Sequence, residues 1–172
     1  MSNIIIRKLE IEDNLQLKTL ILETEDSLKD ERFWLPITAK SREHFLDEEW
    51  TYFLGAFKNE KLIGAVGLFF NDNEYGDSQK ILGLKNEKIA ELGRAMVAPH
   101  YRNNGIMTKL AKALKVYAKK IGINYIIATT HPDNKPSQKF LEKTGFKKKA
   151  FVTKLEKYDR DILLLMVVSN EE

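Results

Sequence analysis

The chain has 172 residues, 43% hydrophobic and 31% charged, which is the size and composition of one ordinary globular domain. It contains no cysteine, which excludes disulfides, thiolate metal sites, iron–sulfur clusters and a cysteine nucleophile. The net charge of +3 is too small to argue by itself for a nucleic-acid binder, and no apolar run approaches the roughly 20 residues that span a bilayer.

Ile4 to Leu9 is short, β-branched and bounded by charge, so it reads as a first strand. It lacks the long apolar core of a signal peptide, and a cytoplasmic location is expected. From about Ile11 to Lys29, the residues Ile11, Leu15, Leu17, Leu20, Ile21 and Leu28 predict an amphipathic helix with blurred periodicity. Ser41 to Trp50 reads as a second helix, with Ser41 as N-cap and Phe45 and Leu46 facing inward. Tyr52–Lys58 and Leu62–Phe70 are strand runs joined at Asn59-Glu60, a tight hairpin signal. Asn71 to Lys88 is polar, holds Gly76 and Gly83, and reads as a long loop.

Ile89 to Val97 is the next strand, ended by Pro99, which cannot donate to a ladder. Gly105 to Ile121 is the clearest helix. Met107, Leu110, Ala111, Leu114, Ala118 and Ile121 form one stripe, with Lys109, Lys112, Lys115 and Lys119 off it. Tyr125 to Thr129 is a compact apolar strand. Asn134 to Thr144 is a helix with Asn134 as N-cap, Pro136 in its first turn and Gly145 at its stop. Phe146–Lys157 and Asp161–Val168 are the last strands, with a turn at Tyr158-Asp159-Arg160. The order β-α-α-β-β-β-α-β-α-β-β predicts an α/β (α+β) domain over residues 1–172. Its sheet is mixed and mostly antiparallel, of about seven strands, with helices on both faces. Strand 89–97, helix 105–121 and strand 124–129 form one right-handed crossover.

The turn inside that crossover carries the chemistry. Val97-Ala98-Pro99-His100-Tyr101-Arg102-Asn103-Asn104-Gly105-Ile106-Met107-Thr108 runs from strand end to helix start. A helix N-terminus presents unpaired N–H groups and about half a positive charge, and so attracts phosphate. Gly105 removes a side chain where a ligand approaches, Arg102 adds a cation and Thr108 a hydroxyl. The plain alternative is an ordinary strand-to-helix loop with a surface arginine.

Arg102-Asn103-Asn104-Gly105-Ile106-Met107 resembles motif A of the GNAT acetyltransferase superfamily, whose pattern is Arg/Gln-x-x-Gly-x-Gly/Ala. The approach Val97-Ala98-Pro99-His100-Tyr101 is similar to the family's Val-x-Pro-x-Tyr. Downstream, Asn134-Lys135-Pro136-Ser137-Gln138-Lys139-Phe140-Leu141-Glu142-Lys143-Thr144-Gly145-Phe146 resembles motif B. The likeness is specific from about Ile89 to Phe146 and generic before Tyr52. It implies acetyl-CoA as donor and no metal. The N–H groups of Asn103, Asn104, Gly105, Ile106, Met107 and Thr108 would cradle the pyrophosphate. The backbone of Met96 and Val97 would pair with a pantetheine lying between strands 89–97 and 124–129. Asn134, Ser137 and Phe140 would flank it, and Lys143 would reach a phosphate. For Phe140 the alternative is core packing, and for Lys143 a solvated lysine.

Two positions depart from the family pattern. Its last small residue is Met107 here, and the tyrosine many members use as general acid is Leu141. A thiol with a pKa of about 8.5 is a fair leaving group without help, and water or Ser137 stand in as donors. An alkyl ammonium with a pKa of about 10.4 must lose a proton before attack. The resemblance implies Glu91 as that base, against the alternative of a glutamate paired with Arg94 or a lysine. The backbone N–H of Val97 would hold the oxyanion. Among the histidines, His100 and His131 fall near the cofactor loops, and His44 reads as a surface residue.

Residues 102–157 hold 14 Lys and Arg against 3 Asp and Glu, a net +11, while the remainder holds 14 against 22, a net −8. A basic half suits an anionic coenzyme. The acidic half includes Asp26, Asp30, Glu31, Asp47, Glu48 and Glu49, and a wall of these would suit a cationic amine. Lys147-Lys148-Lys149 without interleaved aromatics is a poor nucleic-acid platform. The expectation is therefore direct acetyl transfer from acetyl-CoA to a primary amine, in a monomer or homodimer without nucleic-acid or membrane partners. The rival is an acyl-CoA-binding sensor or partner domain without turnover.

Overall fold

The computed structural model describes residues 3–37, 45–47, 49–155 and 157–167. Seven strands run β1 (Ile5–Lys8), β2 (Thr51–Lys58), β3 (Lys61–Phe69), β4 (Ile89–Val97), β5 (Tyr125–Thr130), β6 (Lys147–Leu155) and β7 (Tyr158–Met166). They form one sheet in the order β1-β2-β3-β4-β5-β7-β6. Every neighbouring pair is antiparallel except β4 and β5. The described helices are α1 (Asn14–Asp26), α2 (Asp72–Leu82), α3 (Ile106–Lys120) and α4 (Lys135–Lys143).

The sheet is covered on both faces. On one, Leu110, Ala111, Leu114 and Ala118 of α3 and Leu141 of α4 pack on Leu54, Val66, Leu92, Ala128 and Leu163. On the other, Leu17, Leu20 and Ile21 of α1 meet Phe53, Phe57, Phe69 and Met96, and Tyr75 of α2 meets Ile89, Ile127 and Ile162. The blurred periodicity of the stretch has a simple cause: Ile11 lies in a separate 3-10 turn before α1, and it stays exposed, as do Leu15 and Leu22 on the outer side of α1. Its approach is fixed by Asp13, whose carboxylate takes a two-pronged hydrogen bond from Arg7 at 2.8 and 2.9 Å and another from the Glu10 N–H at 2.8 Å. These donors hold the Asp13 carboxyl below the ordinary aspartate range.

Most predicted elements are present. The β2–β3 turn is Asn59-Glu60, both at positive φ, the mirror-image turn that matches strand twist. Three expectations change. The stretch 71–88 is not a loop, because it contains α2. Tyr75 and Ser78 bury one side of that helix. Gly83 ends it at φ +68°, with the Leu84 N–H returning to Gln79 and the Gly83 N–H to Lys80. The element order therefore gains a helix between β3 and β4. The turn expected at Tyr158-Asp159-Arg160 is strand, because the Asp159 carboxylate accepts the Lys154 N–H across the hairpin and the reversal falls earlier. The helix expected over 41–50 falls largely outside the described residues, as do Ser41, His44 and Glu48. Residues 45–47 and 49–50 are not helical, and Phe45 is buried as expected.

Candidate functional site

The sheet comes apart between its two parallel strands. β4 pairs with β5 only through Ile89↔Tyr125, Ala90↔Ile126 and Glu91↔Ile127. Beyond that, β4 stays with β3 while β5 stays with β7 to Thr130. A bulge in β4 marks the divergence: Gly67 faces Gly93 and Ala65 faces Met96, so two steps of β3 oppose three of β4. Arg94 sits in the bulge at φ +53°, which costs a non-glycine residue about 1–2 kcal/mol.

The directions of the backbone groups follow. Tyr125 N–H donates to the Lys88 carbonyl, so Tyr125, Ile127 and Thr129 all turn their backbone toward β4. Ala98 N–H donates to the Ile63 carbonyl at 2.8 Å. This turns Met96 toward β3 and leaves Ala95 and Val97 facing the gap. Met96 thus does not join Val97 there: it is paired with Ala65 and is 1% exposed.

At the open end stands the turn into α3. Asn103 (φ +63°) and Gly105 (φ +72°) are both left-handed, and Gly105 is the N-cap of α3. A Cβ built on Gly105 meets nothing within 4 Å. None of the backbone N–H groups from Asn103 to Thr108 has an acceptor among the described residues. That is a concave run of donors backed by a helix dipole, the arrangement that binds anions. The Ile106 side chain is buried and Met107 packs against the core, so the bulky methionine turns away from the cradle. Arg102 is aimed elsewhere: its Nε donates to the Val97 carbonyl at 2.9 Å and its Nη2 to the Ser27 hydroxyl at 2.8 Å.

From α4, Asn134 caps the helix by accepting the Ser137 N–H, and Phe140 is half-buried against the α3 side of the core. Leu141 is 1% exposed within that core. Lys143 is exposed at the far end of α4, about 13 Å along the helix axis from Asn134. The structure therefore separates Lys143 from Asn134, Ser137 and the mouth of the gap.

The opposite mouth lies on the α1/α2 face. Glu91 is in register with Phe69 on one side and Ile127 on the other, and its Oε2 is buried. Arg94 reaches the Leu35 carbonyl at 2.6 Å, with its guanidinium 5.1 Å from the Trp34 ring. The segment carrying these residues also meets the chain just after β5. Arg32 pairs with Asp133 at 3.3 Å, and Phe33 lies 5.7 Å from His131. Asp30 is drawn down to about 2 by the Arg32 guanidinium. This face is thus not uniformly acidic, since Arg94 and Arg160 stand on it with Glu91. Arg160 donates from Nη2 to the Thr129 carbonyl at 2.7 Å, a contact with no sequence signal because it joins strands over thirty residues apart.

Comparison with known proteins agrees with this architecture. A model of the acetyltransferase (GNAT) family matches residues 15–146. An uncharacterized N-acetyltransferase, YnaD of Bacillus subtilis (strain 168), is 35% identical over 57 residues, 33% of this chain and 34% of that protein. The chain thus matches about a third of that relative's length. Among solved structures, an N-acetyltransferase from Staphylococcus aureus Mu50 has a TM-score of 0.76 at 15% identity, over 98% of this chain and 100% of that one. Arabidopsis thaliana NAA60 in complex with acetyl-CoA gives 0.77 at 14%, over 95% and 98%. The PaiA N-acetyltransferase from Thermoplasma acidophilum in complex with coenzyme A gives 0.66 at 24%, over 95% and 99%. At these identities the structures share the fold. The family model covers most of the chain, including the whole α3 turn and α4, and the chain belongs to the acetyltransferase (GNAT) family.

Proposed function

We propose that this chain transfers the acetyl group of acetyl-CoA directly to a primary amine. The observation that carries the reading is the run of N–H groups from Asn103 to Thr108, without acceptors among the described residues, at the open end of the β4–β5 gap. The pyrophosphate fits that cradle, and the pantetheine fits the gap, where Ala95 offers backbone groups and Val97 its N–H from β4, and Thr129 its N–H from β5. Asn134, Ser137 and Phe140 line the α4 side. Lys143 is left as a solvated lysine.

Acetyl-CoA supplies an activated thioester, and the remaining roles belong to the chain. Val97 N–H, turned into the gap, holds the oxyanion that forms when the amine attacks the acetyl carbon. Glu91, on the acceptor face, takes the proton the amine must lose. The tetrahedral intermediate expels the thiolate, which takes up the second amine proton through water or Ser137, because the buried Leu141 offers none. With no cysteine in the chain, no cysteine acyl-enzyme forms. The reading places its action in the cytoplasm.

The test has two arms. Calorimetry should show acetyl-CoA binding, and a thiol-release assay should show turnover with a panel of amino acids, peptides, polyamines and aminoglycosides. Absence of binding would sink the reading. Binding without release over the whole panel would favour the sensor reading, which Leu141 supports.

A further inference from the structure

We infer that Arg160 is a positioning residue for the acyl-coenzyme site, a strut that holds the free edge of β5 in the shape the pantetheine needs. The inference rests on the acetyl-CoA reading above. Wherever a sheet splits, the strands on either side keep backbone groups that have lost their ladder partners, and buried groups of that kind must be satisfied by something else. Ile127 is the last β5 residue in register with β4, and the next one turned toward β4 is Thr129. Its carbonyl therefore points into the gap with no strand opposite.

Arg160 supplies the missing donor. It lies near the start of β7, two residues before Ile162, the partner of Thr129. Its side chain stands on the α1/α2 face, as Ile162 does. From there its Nη2 reaches back to the Thr129 carbonyl at 2.7 Å, with Nη2 and Nε also 3.2 and 3.4 Å from the Thr129 hydroxyl. The residue is only 7% exposed. A desolvated guanidinium bonded to a backbone carbonyl is a strong, short contact. It also occupies the carbonyl while leaving the Thr129 N–H as the group that faces a ligand in the gap. Arg160 thus decides which Thr129 backbone group is on offer, and keeps β5 from relaxing toward β4 to close the opening.

The test compares Arg160→Gln and Arg160→Lys for acetyl-CoA affinity by calorimetry, KM for both substrates, kcat and thermal midpoint. Arg160→Gln should raise the acetyl-CoA Kd and KM about tenfold, the scale of one lost charge-assisted hydrogen bond, with kcat within about twofold. Arg160→Lys keeps one donor for the carbonyl and should fall between wild type and Gln. A lowered melting point with an unchanged acetyl-CoA Kd in either folded variant overturns the proposal. So does a change confined to the amine's KM, which would place Arg160 on the acceptor instead. If Arg160→Gln does not fold, Arg160→Lys decides alone, and a wild-type Kd in it refutes the strut. Failure of the underlying reading looks different, because wild-type protein would then not bind acetyl-CoA.

Discussion

Gly105 separates backbone strain from ligand contact. Its φ of +72° is left-handed, and a Cβ placed there touches no protein atom within 4 Å. Gly105→Ala therefore costs only the conformational term, about 1–2 kcal/mol, or a drop of roughly 2–8 °C in melting temperature at this chain length. Gly105→Asn should cost less, since asparagine tolerates this region, as Asn103 does at +63°. Both side chains nonetheless project into the open space in front of the Asn103–Thr108 donors. If the pyrophosphate sits there, displacing it from one or two charge-assisted hydrogen bonds loses about 1.5–3 kcal/mol each, at least tenfold in affinity. Gly105→Glu adds repulsion and should abolish binding. Thermal melts and calorimetry on all three variants give the two quantities independently. A Gly105→Asn protein that melts near wild type and binds acetyl-CoA as tightly would refute the cradle assignment.

Glu91→Gln should lower kcat by about 10²–10⁴ while acetyl-CoA affinity stays constant. The acid limb of the pH–rate profile should vanish with it, and an unaltered profile removes Glu91 as base. Asp13 is held below its ordinary value when folded by Arg7, so its contribution is complete above about pH 3.9 and disappears as pH falls through the lower folded value. Asp13→Asn should be less stable at neutral pH and show a flatter acid-denaturation curve; parallel curves for mutant and wild type would contradict this. Gly76 lies inside α2 with open space where a Cβ would go. Gly76→Ala should stabilise the protein by about 0.4–1 kcal/mol in chemical denaturation, and a loss of stability would mean α2 is not helical there.

Local chemistry made much of the site legible in advance. The α3 turn is recognisable because glycine and asparagine at positive φ, a strand-ending proline and an amphipathic helix all leave marks in neighbouring residues. The same holds for Asn134, whose capping role follows from its place before Lys135-Pro136. What escaped reading depended on distant partners. α2 looked like a loop because Gly76 and its polar neighbours hide a helix held by one buried side, Tyr75 and Ser78 against the sheet. The β4 bulge has no signature in Gly93-Arg94-Ala95; it exists only relative to β3. The family likeness implies Met96 in the gap beside its neighbour Val97. In a strand, that adjacency puts its backbone on the opposite edge.

The sequence by itself determined the family, the order of most elements, the phosphate-suited turn and the absence of any cysteine chemistry, because each is written in the residues of the chain itself. Only the tertiary structure decided that the sheet parts after Glu91 and Ile127, that Val97 and Thr129 face one another's vacant edges, and that Arg160 closes one of them. Those facts concern which strands lie side by side and where their registers slip. They are set by packing two helical layers on a sheet assembled from the whole chain, and no local window contains them.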